Sequence, residues 1–217
     1  MRRWNTHKPA DARARETVKF LGITLQENLN WSCHIDNIRN NCTRGLFVLS
    51  RVRHLLPLKV LLNIYYALIH SHLSYAIYTY GLTYTSHLEH LLRVQKRALR
   101  IILFLPPRNT TLFAFPFLRI MDIFSLLKYK VCLIIHQLLH DNIIHTVSLE
   151  RANPPYALRR DPNALLLPSS RTNFGVFSLK SAGVKFWNSL PTELTNINSY
   201  QIFKHSLKKF LLDTKDE

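Results

Sequence analysis

SHLEHLLRVQKRALRII, residues Ser86 to Ile102, decides the reading of this chain. With about 100° of rotation per residue, Leu88, Leu91, Leu92, Ala98, Leu99 and Ile102 share one side of a helix. Arg93, Lys96, Arg97 and Arg100 fall on the opposite side as a stripe about two turns long. Ser86-His-Leu-Glu89 matches a capping box and predicts the helix start, and Pro106-Pro107 ends it. Such a row of cations suits the phosphate oxygens of a nucleic-acid backbone, which position a duplex without reading its sequence. The competing reading is an ordinary solvated helix face. Two features weigh against it: the stripe has no acid among its cations, and the whole chain is basic.

Among 217 residues, 29 are Lys or Arg and 13 are Asp or Glu, a net charge of +16 with a pI near 10.1. Only 19% of residues are charged, so the positive sign reflects scarce acids more than abundant bases. A polyanion is the first partner to consider, and an anionic membrane surface the second. The apolar share of 47% excludes wholesale disorder. Cys33, Cys42 and Cys132 are an odd number without a CxxC pair. That argues against a disulfide framework and a zinc ribbon, and for reduced intracellular thiols. The opening Met-Arg-Arg-Trp-Asn precedes no apolar stretch, so no signal peptide is expected. Val60 to Leu88 lacks Asp, Glu, Lys and Arg, but Asn63, His70, Ser71, His72, Ser74 and Thr79 interrupt it. A buried helix is the better reading there than a membrane span.

Outward from the central helix, residues 1–16 read as an unstructured leader. Val18–Leu25 reads as a strand or hairpin arm around Gly22. From His34 to Leu56 the residues Ile35, Ile38, Cys42, Leu46, Leu49, Val52 and Leu56 recur at helical spacing. Pro57 permits a new helix to about His72 or Tyr80, apolar on most sides and so expected as the buried member of the bundle. A further helix is expected over Ile120–Leu139, and a Pro- and Arg-containing linker over 146–173. Phe174–Trp187 suggests a hairpin around Gly183. Asn198, with Gln201, suggests the cap of a last amphipathic helix. There Phe203, Leu207, Phe210 and Leu211 face inward, and Lys204, Lys208 and Lys215 outward. The expected fold is mainly α: a helical bundle with a short N-terminal strand or hairpin and a small α+β C-terminal extension.

Catalytic patterns are missing from the residues. The thirteen acids are scattered, and the one adjacent pair, Asp216-Glu217, is terminal. Two-metal phosphoryl transfer needs clustered carboxylates, so no catalytic residue and no metal site is expected. His70/His72, His87/His90 and His136/His140, with His145 nearby, lack the Glu of an HExxH pattern and read as helix-surface or half-buried residues. No G-x-S-x-G, P-loop or GxGxxG occurs, which argues against a cofactor or small-molecule substrate. Tyr65, Tyr66, Tyr75, Tyr78 and Tyr80 could stack on bases, but core roles are the commoner use of tyrosines in such a helix.

An ordered series of short motifs gives a second line of argument. Val18-Lys-Phe-Leu-Gly-Ile23, Asn28-Leu-Asn-Trp31, His34-Ile35, Leu55-Leu-Pro-Leu-Lys59, Leu68-Ile-His70, Leu73-Ser-Tyr75, Gln95-Lys-Arg-Ala-Leu-Arg100-Ile-Ile102, Arg171-Thr, Phe177-Ser178, Gly183 and Phe186-Trp-Asn-Ser-Leu-Pro191 lead to the helix ending near Leu212. The series resembles the region after the catalytic palm in reverse transcriptases of non-LTR (LINE-type, jockey-like) retrotransposons, over residues 17–212. Ala76 stands where that family often has Gly, and Tyr80 where it often has Trp. The resemblance implies that 17–29 is the palm-end primer grip, with Phe20, Leu21 and Gly22 in its hairpin. It implies that 30–145 is a thumb lying along an RNA–DNA primer–template, and that 174–217 belongs to a C-terminal extension. The family's catalytic aspartates and their Mg²⁺ belong to a palm upstream of Val18. The expected object is therefore a fragment starting at a fortuitous Met1, without catalysis alone, whose partners are nucleic acid and a palm-containing polypeptide. The family's life cycle implies an intracellular setting, with the nucleus among its compartments. Two other readings stay open: an inert or purely interacting product, and a helical protein on a membrane surface using Val60–Leu82 and the last helix.

Overall fold

Thr17–Phe20 (β1) and Ile23–Gln26 (β2) form an antiparallel hairpin joined by Leu21 and Gly22. Both turn residues have positive φ, 46° and 79°, the two-residue geometry whose twist matches that of the strands. Leucine is uncommon there. The turn is held by the Tyr75 hydroxyl, which donates to the Leu21 carbonyl at 2.6 Å. The computed structural model describes residues 17–140, 149–151 and 164–213; the expected leader, most of the linker, His145 and Lys215 lie outside them.

β2 is hooked to α1 (Ser32–Val52). Trp31, at the cap position, offers no side-chain bond. Instead the Gln26 carboxamide oxygen accepts from the Cys33 amide at 3.0 Å and the Ser32 hydroxyl at 3.1 Å, and so caps the helix from the neighbouring strand. The Thr24 amide donates to His34 Nδ1 at 3.3 Å, which places the ring proton of neutral His34 on Nε2. Burial holds the His34 pKa below its ordinary value. Ile35, Ile38, Cys42, Leu46 and Leu49 form the buried stripe of α1, as their spacing predicts.

The second helix differs from its expectation. It runs as α2 (Leu58–Tyr65), a π-helical turn (Tyr66–His70) and α3 (Ser71–Ser74), then breaks before α4 (Ile77–Tyr80). Leu61, Tyr65, Ile69, Leu73, Ile77 and Tyr80 are buried, but Leu58, Val60, Tyr66 and Leu68 are exposed. The segment lies on the outside of the bundle and buries one face only. The buried spacing of four drifts on a 3.6-residue helix, and the wider π turn takes up that drift. At the break Ala76 has φ 51° and ψ 27°, left-handed backbone that costs an L-residue. Packing onto α1 is close at Gly45, where a Cβ would lie 2.9 Å from Ile69 Cγ1 and 3.0 Å from the Leu68 carbonyl.

α5 (Thr85–Ile102) begins one residue before Ser86, and the side chain of Tyr84 at its cap position makes no capping bond to the helix, so the expected Ser86/Glu89 capping box is not formed. After the short α6 (Ala114–Phe117) comes α7 (Ile123–His140), whose first turn is capped by the Asp122 carboxylate accepting from the Ser125 amide at 2.9 Å. α7 is the member the other helices wrap: it packs against α4 and α5 on one side and against the C-terminal helices on the other. By length and composition it could cross a membrane, but in this fold over half of it is enclosed by protein.

The C-terminal part consists of α8 (Asn173–Val176), α9 (Leu179–Asn188), α10 (Thr192–Thr195) and α11 (Tyr200–Asp213). The hairpin expected around Gly183 is therefore helical. Gly183 marks a close crossing instead: a Cβ there would lie 2.9 Å from Ile135 Cδ1 of α7. An isolated bridge, Arg151–Leu165, lies in the expected linker, and the described residues of the extension form no strand. Asn188 clasps that bridge, with Oδ1 accepting from the Leu165 amide and Nδ2 donating to the Leu165 carbonyl, each at 2.9 Å. Trp187 and Phe203 complete an aromatic core with His136, which stacks on Phe203 at 4.3 Å. α11 starts at Tyr200, too late for Asn198 to be its cap; it buries Phe203, Leu207 and Leu211 and exposes Lys204 and Lys208. All three cysteines are free thiols.

Candidate nucleic-acid interface

α1 and α5 lie side by side and point the same way. At their beginnings Trp31 and Tyr84 line one pocket; at their ends Arg53 meets Arg97 and Arg100. The pairing is driven by α5's inward face, where Leu88, Leu91, Ala98, Leu99 and Ile102 are buried as their spacing predicts, joined by Val94 and Gln95. Gln95 is a polar residue in this core. Its Nε2 donates to the Tyr65 hydroxyl at 3.1 Å and to the Met121 carbonyl at 3.2 Å. With the inward face fixed, Arg93 and Arg97 must point to solvent, and Lys96 and Arg100 lie half-buried at the stripe's edges.

The stripe forms one wall of a surface cleft of about 770 Å³. Arg93, Arg97 and Arg100 line it, Arg53 closes it from the end of α1, and Phe104, Leu105, Pro106 and Pro107 form its far side. Lys96 shares the helix but does not line the cleft. Among the described residues no ion pair neutralises these cations; the salt bridge that is present joins Asp36 to Arg39, at 3.1 Å on α1. Arg100 Nε donates to the Asn109 carbonyl at 3.2 Å, which fixes its guanidinium at the rim. The negative ends of two helices also meet here, worth roughly −0.5 charge each. Four arginines exceed that by about three charges, so the cleft remains a site for anions.

Arg53 and Phe104 were not singled out by sequence periodicity. Arg53 sits just past the last turn of α1, within the His34–Leu56 run whose spacing marks the apolar face and not what its polar residues meet. Phe104 follows α5 and would be read as a helix-end hydrophobe. The guanidinium carbon of Arg53 lies 5.0 Å from the centroid of the Phe104 ring.

The primer-grip-like residues lie elsewhere. Phe20, Leu21 and Gly22 form the exposed hairpin tip, and the hairpin is bonded to the first turns of α1. Arg53 lies beyond the other end of a helix of 21 residues, roughly 30 Å away at 1.5 Å per residue. The tyrosines divide. Tyr65 and Tyr80 are fully buried, Tyr80 donating to the Leu73 carbonyl at 2.6 Å, whereas Tyr66, Tyr75 and Tyr78 are exposed. Histidines meet only in pairs among the described residues: the His136 and His140 rings lie 4.4 Å apart, with His136 Nε2 bonded to the Ile197 carbonyl at 2.7 Å, and His87 lies beside His90 with burial lowering its pKa. Among the described residues no three His, Cys, Asp or Glu side chains come together.

A second basic cleft lies between α6 and α11, lined by Arg119, His205, Lys208 and Lys209, with Asp213 at its edge. No protein-family model, curated protein or solved structure matches the chain. The fold and site thus define a helical bundle with a hairpin at one end and an arginine-lined cleft at the other.

Proposed function

We propose that residues 17–212 are the primer-grip, thumb and downstream part of a LINE-type reverse transcriptase. In this reading the chain holds the sugar–phosphate backbone of an RNA–DNA primer–template and contributes no catalytic group of its own. The observation that carries it is the joining of Arg53 to Arg93, Arg97 and Arg100 in one cleft that no acid among the described residues neutralises. Arginines spaced along a helix meet successive phosphates and leave base identity unread. Several motif residues of the resemblance also have structural duties here. Leu21 and Gly22 make the hairpin turn, Tyr75 ties it down, Trp187 and Asn188 anchor the C-terminal part, and Ala76 occupies left-handed backbone where the family often has Gly.

The test is equilibrium binding of the chain to an RNA–DNA duplex between 50 and 200 mM salt. Neutralising four to six phosphates would weaken binding roughly 10²- to 10³-fold over that range. Replacing Arg93, Lys96, Arg97 and Arg100 together by alanine should flatten the dependence. Unchanged binding by that quadruple variant refutes the assignment.

One observation favours a protein partner as well. Val18, Phe20 and Leu21 are all more than 60% exposed on a hairpin whose outer edge pairs with no further strand among the described residues. A palm-containing reverse-transcriptase portion would cover that edge by extending the sheet. Mixing the chain with such a polypeptide should protect the amides of β1 from hydrogen exchange, and unchanged exchange would exclude this contact.

A further inference from the structure

The cleft holds an aromatic ring that its cations alone do not explain. Phe104 follows α5 with φ 57°, in the left-handed region. The backbone closes the helix there with the Leu105 amide donating to the Arg100 carbonyl at 2.9 Å and the Phe104 amide to the Ile101 carbonyl at 3.5 Å. Glycine is the usual residue at that position of such a closure, because it has no Cβ to strain. A bulky side chain there is an outlier, and outliers of this kind persist where the surroundings hold them. The surroundings here are Arg53, over the ring at 5.0 Å, and His54, whose ring centroid is 5.1 Å from that of Phe104. Arg53 Nε also donates to His54 Nε2 at 2.9 Å, which ties the two supports together. Despite the strain Phe104 adds nothing to the buried core: it is 50% exposed.

We infer that Phe104 is a stacking platform for an unpaired base, so that the cleft takes a strand end or single-stranded segment rather than an uninterrupted duplex. This rests on the nucleic-acid reading of the cleft and sharpens it. A paired base inside a duplex has both faces covered by its neighbours, whereas an overhanging unpaired base has a free face to lay on Phe104 without the partner strand that a blunt terminal pair carries. Arg93, Arg97 and Arg100 then take the flanking phosphates, and Arg53 stiffens the platform through its cation–π contact. Every base has such a face, so recognition is tolerant of sequence.

The experiment compares two probes on the full chain: a blunt RNA–DNA duplex, and the same duplex with a short 3′ overhang carrying 2-aminopurine. The overhang should bind roughly 5- to 150-fold more tightly, the range that one aromatic–base stack supplies, and its fluorescence should be quenched. Phe104→Gly should abolish both the preference and the quenching. That variant relieves the backbone strain, so lost folding cannot account for the result. Phe104→Trp should keep the preference. Equal affinity of the unaltered chain for both probes, or a preference retained by Phe104→Gly, overturns the inference alone. Failure of the unaltered chain to bind either probe overturns it together with the reading beneath it.

Discussion

Arg53→Ala and Lys96→Ala separate a cleft from a simple helical stripe. Helical periodicity alone assigns Lys96 to the binding row and is silent on Arg53, whereas the fold places Arg53 in the cleft and leaves Lys96 outside it. Each phosphate contact contributes about 0.9 to the slope of log affinity against log salt on duplex, and about 0.7 on single strands. Over a fourfold rise in salt, losing one contact therefore changes the attenuation by about 3.5-fold on duplex and about 2.6-fold on a single strand. Arg53→Ala should flatten the slope by one such step. It should also loosen Phe104, by removing a cation–π contact worth about 0.5–1 kcal/mol at an exposed site. Arg97→Ala should match it in slope, and Lys96→Ala should change the slope by well under one step. Fluorescence anisotropy titrations at four salt concentrations between 50 and 200 mM resolve these differences. If Lys96→Ala costs a full step and Arg53→Ala none, the cleft is not where the backbone lies.

Three further outcomes follow from the packing. Gly45→Ala should destabilise the chain by about 1–2 kcal/mol in urea unfolding, because the new Cβ meets the Leu68 backbone carbonyl and the gain in helix propensity only partly offsets that overpacking; an unchanged midpoint would mean that the crossing of α1 and α3's preceding turn is looser than described. Ala76→Gly should stabilise by about 0.5–1 kcal/mol, since relief of left-handed strain outweighs glycine's extra unfolded-state entropy, and a lowered thermal midpoint would contradict this. For His34 and His70 the folded pKa lies below the unfolded value of 6.5, by burial in both cases and, for His70, through Lys130 and Lys208 as well. Their contribution is full above pH 6.5 and is lost as pH falls from there through the folded values, so the thermal midpoint should drop between pH 7 and 5. A flat profile, or a drop on the alkaline side, would refute the neutral assignment.

Local periodicity made the buried faces of α1 and α5 legible, because each helix presents one side to the other and hydrophobic spacing reports that directly. The mainly helical class and the N-terminal hairpin followed from the same patterns. Apolar content misled over α2 and α3: a segment with few charges reads as buried, yet Leu58, Val60, Tyr66 and Leu68 face outward. Nothing local distinguishes an apolar residue covered by the bundle from one on its outer side. The region around Gly183 failed for a related reason, since glycine signals both turns and close helix crossings, and only the position of Ile135, far away in sequence, separates the two. At the start of α5 the capping-box residues are present, but the helix begins before Ser86, so pattern and structure part company by a single residue. In the cleft, Arg93, Arg97 and Arg100 were visible as a stripe. Arg53 was not, because its neighbourhood is created by the pairing of two helices 30 or more positions apart in the chain.

The clasp at Leu165 has a consequence for the chain's continuity. Arg151 and Leu165 are bridged, Leu166 donates to the Glu150 carbonyl at 2.8 Å, and Asn188 grips Leu165 from α9. The two edges of the 152–163 stretch are therefore sewn to each other, and through Leu165 to α9. A backbone scission within that stretch would leave two polypeptides that still co-purify, and the protein lends itself to assembly from separately made halves.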